Sequence, residues 1–258
     1  MLIAMLSGKA APGVTTSTWA LGLTWPGEVL AVDADPAGGD MLAGLLAGRV
    51  SADQGLLSWS VTTRRAPAME AAALIAGHTV SLPEAPQLWV MPGLQSSAQS
   101  SSLVGGGWER LARALERESF SGRDVLVDCG RLSESSPWPV ISTADRVLLV
   151  ARGTVRSVYA ARQAASLLGE RLGDLEPVGL LAVGGGPYPA GTVAAELGVP
   201  VAGELPEDRS AAAALSDGAY AGVRGLGRTR LQRAARQIAE RLYSASAIHQ
   251  HEQAGVTR

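Results

Sequence analysis

Residues 7–17, SGKAAPGVTTS, lie between a short apolar run and a stretch with helical spacing. A strand-to-helix turn of this kind binds phosphate when its backbone N–H groups converge on an anion at the positive end of the helix. Its sequence form is G-x-x-x-x-G-K-[ST]. Gly8, Gly13 and Thr15 keep that spacing, with the Thr15 hydroxyl in the magnesium-binding slot and Thr16 behind it. Val14 stands where the phosphate-gripping lysine belongs. Taken alone, the loop fits an eroded phosphate site and a plain strand-to-helix connection equally well.

Three carboxylates accompany it. Asp33 and Asp35 end the run EVLAVDAD, and Asp128 ends DVLVD. In parallel sheets ligands sit beyond the carboxyl ends of the strands, where these residues and the loop would gather. Asp33 and Asp35 could simply end a strand and cap a helix, and Asp128 could be a strand-end turn residue. Pro36 and the two glycines at 38 and 39, with a phosphate-like loop one strand earlier, favour a magnesium-side role.

The elements that must position these groups are legible as alternation. MLIAML, EVLAVDAD, QLWVMPG, DVLVDCG, RVLLVAR, PVGLLAVG and VPVAGELP read as buried strands. Helical spacing recurs at 15–23, 40–48, 69–77, 106–118, 156–170, 190–197 and 207–217. The pattern predicts an α/β fold, a mostly parallel sheet flanked by helices on both faces, whose strands are continuous apolar runs because both sides are buried. No repeat or linker divides the chain, so the expectation is one domain over 1–245 and a polar C-terminal tail over 246–258, with LQSSAQSSS (94–102) as a surface loop.

Composition bounds the rest. The chain has 258 residues, 47% hydrophobic, enough for a substantial core, and a formal net charge of −2 that gives no support to bulk binding of DNA or a membrane surface. A single cysteine, Cys129, excludes an internal disulfide and suits a reducing cytoplasm; it reads as a small buried residue. The opening MLIAML, cut off by Gly8 and Lys9, is too short for a signal-peptide core, and no apolar run nears the roughly 20 residues of a membrane span. His78, His249 and His251 lack metal or catalytic spacing and read as surface residues, and Trp138 reads as a packing or loop-anchor residue. In RTRLQRAARQIAERLY, Leu231, Ala235, Ile238 and Leu242 form one stripe, with Arg228, Arg233, Arg236 and Arg241 around it. This predicts a final helix packed on the sheet, since membrane-surface helices carry bulkier anchors.

GKAAPGVTTS followed by VLAVDADPAGGD resembles the deviant Walker A family of ParA and MinD ATPases, whose first motif runs K-G-G-x-G-K-T-T and whose second strand ends in D-x-D-P. The resemblance covers nearly the whole chain and implies a three-layer P-loop NTPase fold. It implies ATP or ADP with Mg²⁺ as cofactors, held by Gly8, Lys9, Gly13, Val14, Thr15 and Thr16. Thr15, Asp33 and Asp128 would lie on the metal side, and Asp35 and Lys9 would do the chemistry. Lys9 matches the signature lysine that reaches a partner's phosphates across a nucleotide-sandwiched dimer, and Asp35 the residue that positions the attacking water. The implied partners are a second copy and a protein cargo or machinery component.

The departures bear on activity. The family glycines are Ala10 and Ala11, Pro12 has no backbone donor, the cis lysine is Val14, and LLAVGGGPY lacks the adenine-binding asparagine. Losing one charge-assisted contact costs roughly 1.5–3 kcal/mol, about 10- to 150-fold in affinity. Weak nucleotide binding and weak or absent hydrolysis are therefore expected. The reading that follows is a dimerising spatial organiser with a degenerate ATP site, similar in its eroded loop to the TadZ group that positions pilus or secretion machinery. An active ATPase cycling on DNA or membrane and a nucleotide-free structural module remain the alternatives.

Overall fold

The computed structural model describes residues 1–8, 12–46, 50, 51, 54–218 and 227–255, without the side chains of 68 and 246–255. Eight strands form one sheet: β1 (Leu2–Ser7), β2 (Val29–Asp33), β3 (Val80–Leu82), β4 (Ala85–Met91), β5 (Asp124–Arg131), β6 (Arg146–Ala151), β7 (Val178–Val183) and β8 (Val201–Leu205). Their spatial order is β3-β4-β2-β5-β1-β6-β7-β8, all parallel except the β3–β4 pair.

Side-chain alternation along each strand divides the core in two. From β1, Leu2, Ala4 and Leu6 point to one face while Ile3 and Met5 point to the other. The first face is covered by α2 (Leu56–Thr62), α3 (Ala68–Ala73), α4 (Gly107–Phe120), α5 (Trp138–Thr143), α6 (Val155–Leu172) and α7 (Ala190–Leu197). The second is covered by α1 (Val14–Gly22), α8 (Arg209–Ser216) and α9 (Arg230–Gly255). The three-layer α/β expectation is met, and the continuous apolar strands follow from burial on both sides.

The last helix packs as its stripe predicts: Leu231, Ala235 and Ile238 are buried, Leu242 is partly so, and Ile238 lies against Gly203 of β8. It runs on into the polar tail as far as Gly255. Among the described residues no helix is long and apolar enough to cross a membrane.

Four local expectations are corrected. Residues 40–46 form turns rather than the start of a helix over 40–48, whose remainder lies outside the described residues. The segment is pinned at Met41 by Asp33 and at Gly44 by close approach to the carbonyls of Leu215 and Ser216. Helices α2 and α5 and the edge strand β3 carry no sequence signal, being too short to show a period. Within LQSSAQSSS, Ser97–Leu103 is a 3₁₀-helix in which the hydroxyls of Ser100, Ser101 and Ser102 donate to the carbonyls three residues back at 2.7, 2.9 and 2.7 Å. His78 is 8% exposed, not a surface residue. The side chains of His249 and His251 lie outside the described residues.

Candidate nucleotide site

Strand β1 ends at Ser7 between β5 and β6, in register with Arg131 and Val150, so the loop that follows emerges at the middle of the sheet. Gly8 lies so close to α6 that a Cβ there would run into the Ala160 carbonyl and stand 2.9 Å from the Ala161 nitrogen. Lys9, Ala10 and Ala11 lie outside the described residues. The chain re-enters at a buried Pro12, and Gly13 turns into α1 with φ 104°, a conformation L side chains resist. Gly13 gives no side-chain cap and no acidic residue occupies the first turn, so nothing there competes for the N–H groups at the positive end of the helix.

The two threonines and the valine of that turn diverge. Val14 is 6% exposed and joins the apolar cluster beneath α1, with its carbonyl accepting a bond from Thr18 Oγ1 at 3.0 Å. Thr15 and Thr16 are only half-buried. Position 14 is thus spent on the core, whereas Thr15 faces the carboxylates.

Those carboxylates converge. Asp33 and Asp128 are paired residues of adjacent parallel strands, and the Ala34 N–H donates to the Asp128 carbonyl at 2.8 Å. Asp33 is fully buried; its Oδ2 accepts from the Met41 N–H at 3.2 Å and its Oδ1 from the Asp35 N–H at 3.3 Å. Gly39 and Gly93 press against this carboxylate where any side chain would collide with it. Asp35 accepts from the Ala37 N–H at 2.8 Å and lies over Gly130, two residues past Asp128.

Asp128 is 1% exposed, and its Oδ1 accepts from the Gly130 N–H at 2.9 Å. Its Oδ2 is buried with no partner. Burial pushes Asp128 up to about 6, with the Thr15 hydroxyl and the Gly130 N–H offsetting part of the rise. Burial and then the charge of Asp128 push Asp33 well above the ordinary carboxylate range; burial raises Asp35 as well. Such a cluster is short of positive charge.

An orphaned buried carboxylate oxygen beside a threonine hydroxyl suits a hydrated magnesium ion, a hard cation that keeps several waters and takes phosphate oxygens. Among the described residues no three His, Cys, Asp or Glu side chains could hold an ion unaided, so magnesium here would need the ligand's phosphates. Cys129 is fully buried next to Asp128, and burial pushes its thiol well up, away from reactivity. Trp138 is a loop anchor: its Nε1 donates to the Ser133 carbonyl at 3.2 Å and the Arg171 guanidinium lies 5.0 Å over its ring.

Thr15, Asp33, Asp35 and Asp128 thus lie together, while Gly8 packs on α6 and Gly13 opens α1 beside Val183. The sequence missed the Met41 N–H that holds Asp33, because a backbone donor has no residue signature.

No family model matches the chain, and no curated protein matches it in sequence. Solved structures match it in fold. A ParA family ATPase from Chlorobium tepidum TLS superposes with a TM-score of 0.72 at 17% identity, over 92% of this chain and 98% of that one. The septum site-determining protein MinD complexed with Mg-ADP, from Pyrococcus horikoshii OT3, gives 0.74 at 18% identity, over 96% and 97%. MinD in the MinC:MinD cell division complex of Aquifex aeolicus gives 0.69 at 21% identity, over 94% and 96%. The chain has the ParA/MinD-type P-loop fold.

Proposed function

We propose that this chain, starting from the ParA/MinD-type fold, is a nucleotide-responsive positioning or partition protein whose degenerate site takes Mg-ATP or Mg-ADP weakly and hydrolyses ATP slowly or not at all. The observation that carries the reading is the orphaned Asp128 Oδ2 beside Thr15, at a helix N-terminus whose first residue, Val14, has turned into the core. The metal side is kept; the lysine side is not.

In this reading the N–H groups at the start of α1 hold the phosphates, Thr15 and Asp128 orient the magnesium ion and its waters, and Asp33 braces the loop that carries Asp35. Gly8, Gly13 and Thr16 shape the loop. Held there by Thr15 and Asp128, magnesium would neutralise charge on the phosphates and on the carboxylates together. Asp35, half-buried and raised, would orient a water toward the γ-phosphate, without the cis lysine that would stabilise the transition state. Lys9 serves the phosphates of a second copy, so nucleotide joins two chains through this face.

The similar structures support the cellular role by what they are: one is a septum site-determining protein with Mg-ADP, another a MinD bound to a protein partner, MinC. A protein cargo or machinery component, such as a pilus or secretion assembly, is the corresponding partner for this chain. Calorimetry of Mg-ATP and Mg-ADP binding tests the reading. Dissociation constants in the high micromolar to millimolar range, with little or no phosphate release, support it. No binding at millimolar nucleotide favours a structural module, and rapid phosphate release lost on Asp35→Ala favours an active ATPase.

A further inference from the structure

Arg152 follows directly on β6, next to the end of β1 from which the phosphate loop starts. Its backbone is tightly held: its N–H donates to Ser157 Oγ at 2.9 Å and its carbonyl accepts from the Thr154 N–H at 2.8 Å. The side chain is treated differently. Its guanidinium reaches to the end of β7, where a Cβ built on Gly184 would stand 3.0 Å from Nη1. Among the described residues it makes no ion pair and no side-chain hydrogen bond, although the residue is half-buried.

The same end of β7 borders the phosphate loop. A Cβ on Gly13 would lie 3.8 Å from Val183 Cγ1, and Val183 immediately precedes Gly184. The unpaired guanidinium and the positive end of α1 therefore flank one short stretch of strand. On the α7 face of the same strand end, Arg152 lines a cavity of about 160 Å³ with Gly153, Ala182, Val193 and Glu204. A guanidinium fork matches phosphate oxygens with paired N–H donors. On the other side of the loop, the orphaned Asp128 oxygen independently marks a ligand-bearing site.

We propose that Arg152 supplies, from the β6–β7 side, the cationic contact to the nucleotide's phosphates that Val14 cannot make. The proposal rests on the nucleotide-binding reading above and identifies the residue that would keep such a site working without its loop lysine. The charge has moved from inside the loop to the neighbouring strand end.

Calorimetry on the full chain with Mg-ATP, and with inorganic tripolyphosphate as a competitor, tests it in wild type, Arg152→Ala, Arg152→Lys, Val14→Lys and the Arg152→Ala/Val14→Lys double variant. Arg152→Ala should weaken both ligands by roughly 10- to 100-fold, and Arg152→Lys should recover part of the loss. In the Val14→Lys background the loss should shrink several-fold, because the two cations serve the same phosphates. Unchanged binding in Arg152→Ala overturns the assignment, as does a loss confined to ATP and absent for tripolyphosphate, which would move the contact to the base or ribose. Strictly additive effects overturn it too. If Arg152→Ala misfolds, Arg152→Gln replaces it: a tenfold or larger loss for both ligands supports the assignment, and a smaller or absent loss overturns it. A wild-type chain that binds neither ligand at millimolar concentration removes the nucleotide reading itself, a result distinct from any effect of Arg152.

Discussion

Asp33 and Asp128 stand side by side, fully buried, as register partners at the ends of two parallel strands. Burial raises both carboxyls, and the charge of Asp128 raises Asp33 further. The cluster is built for a ligand that brings positive charge.

Nucleotide binding should therefore depend on magnesium. Without it, polyphosphate meets three carboxylates, and affinity should fall at least tenfold in EDTA. Asp128→Asn should blunt this dependence, since it removes the negative charge that holds the hydrated ion. Equal affinity in EDTA and magnesium, measured by calorimetry, contradicts the arrangement.

The metal-free chain should lose stability as pH rises toward neutrality through this cluster. Folded-state values above the unfolded value of about 4 mean that the folded chain binds more protons over that interval. The contribution is fully present below about pH 4 and is lost as pH rises through the Asp128 value of about 6. Thermal melts from pH 4.5 to 7.5 should show a steeper fall in wild type than in Asp128→Asn. Identical slopes would show that Asp128 does not carry the effect.

Val14→Lys should strengthen Mg-ATP binding by about tenfold or more, by placing an ammonium among the loop N–H groups. The structure adds a cost: Val14 packs in the core, so the variant should melt at a lower temperature without nucleotide, by up to about 1.5–3 kcal/mol of lost burial. A folded variant with no gain in affinity would mean that the loop lacks phosphate-binding geometry.

Lys9 is the only lysine in a chain that otherwise uses arginine for its positive side chains. A compact, strongly hydrated ammonium is kept at the one position from which the resemblance predicts a reach across a dimer. Sedimentation should show self-association promoted by Mg-ATP and abolished by Lys9→Ala, whereas a monomer under all conditions rules out the dimer.

The strands and the three aspartates at their ends were legible because burial on both faces writes a continuous apolar run, and a polar residue ending such a run marks the sheet's ligand edge. The loop was legible because its glycines and threonine must keep a fixed spacing. Three features depended on tertiary structure. Val14 could have pointed to phosphate or to the core, and packing against the far side of the sheet selected the core. Residues 40–46 have helical spacing but form turns, held where the Met41 N–H meets the buried Asp33 carboxylate and Gly44 meets the carbonyls of Leu215 and Ser216. Arg152 and Gly184 are far apart in sequence and meet only through the pairing of β6 with β7. Local periodicity records how deeply a segment is buried; which buried groups face one another is set by strand order and register, which bring distant parts of the chain together.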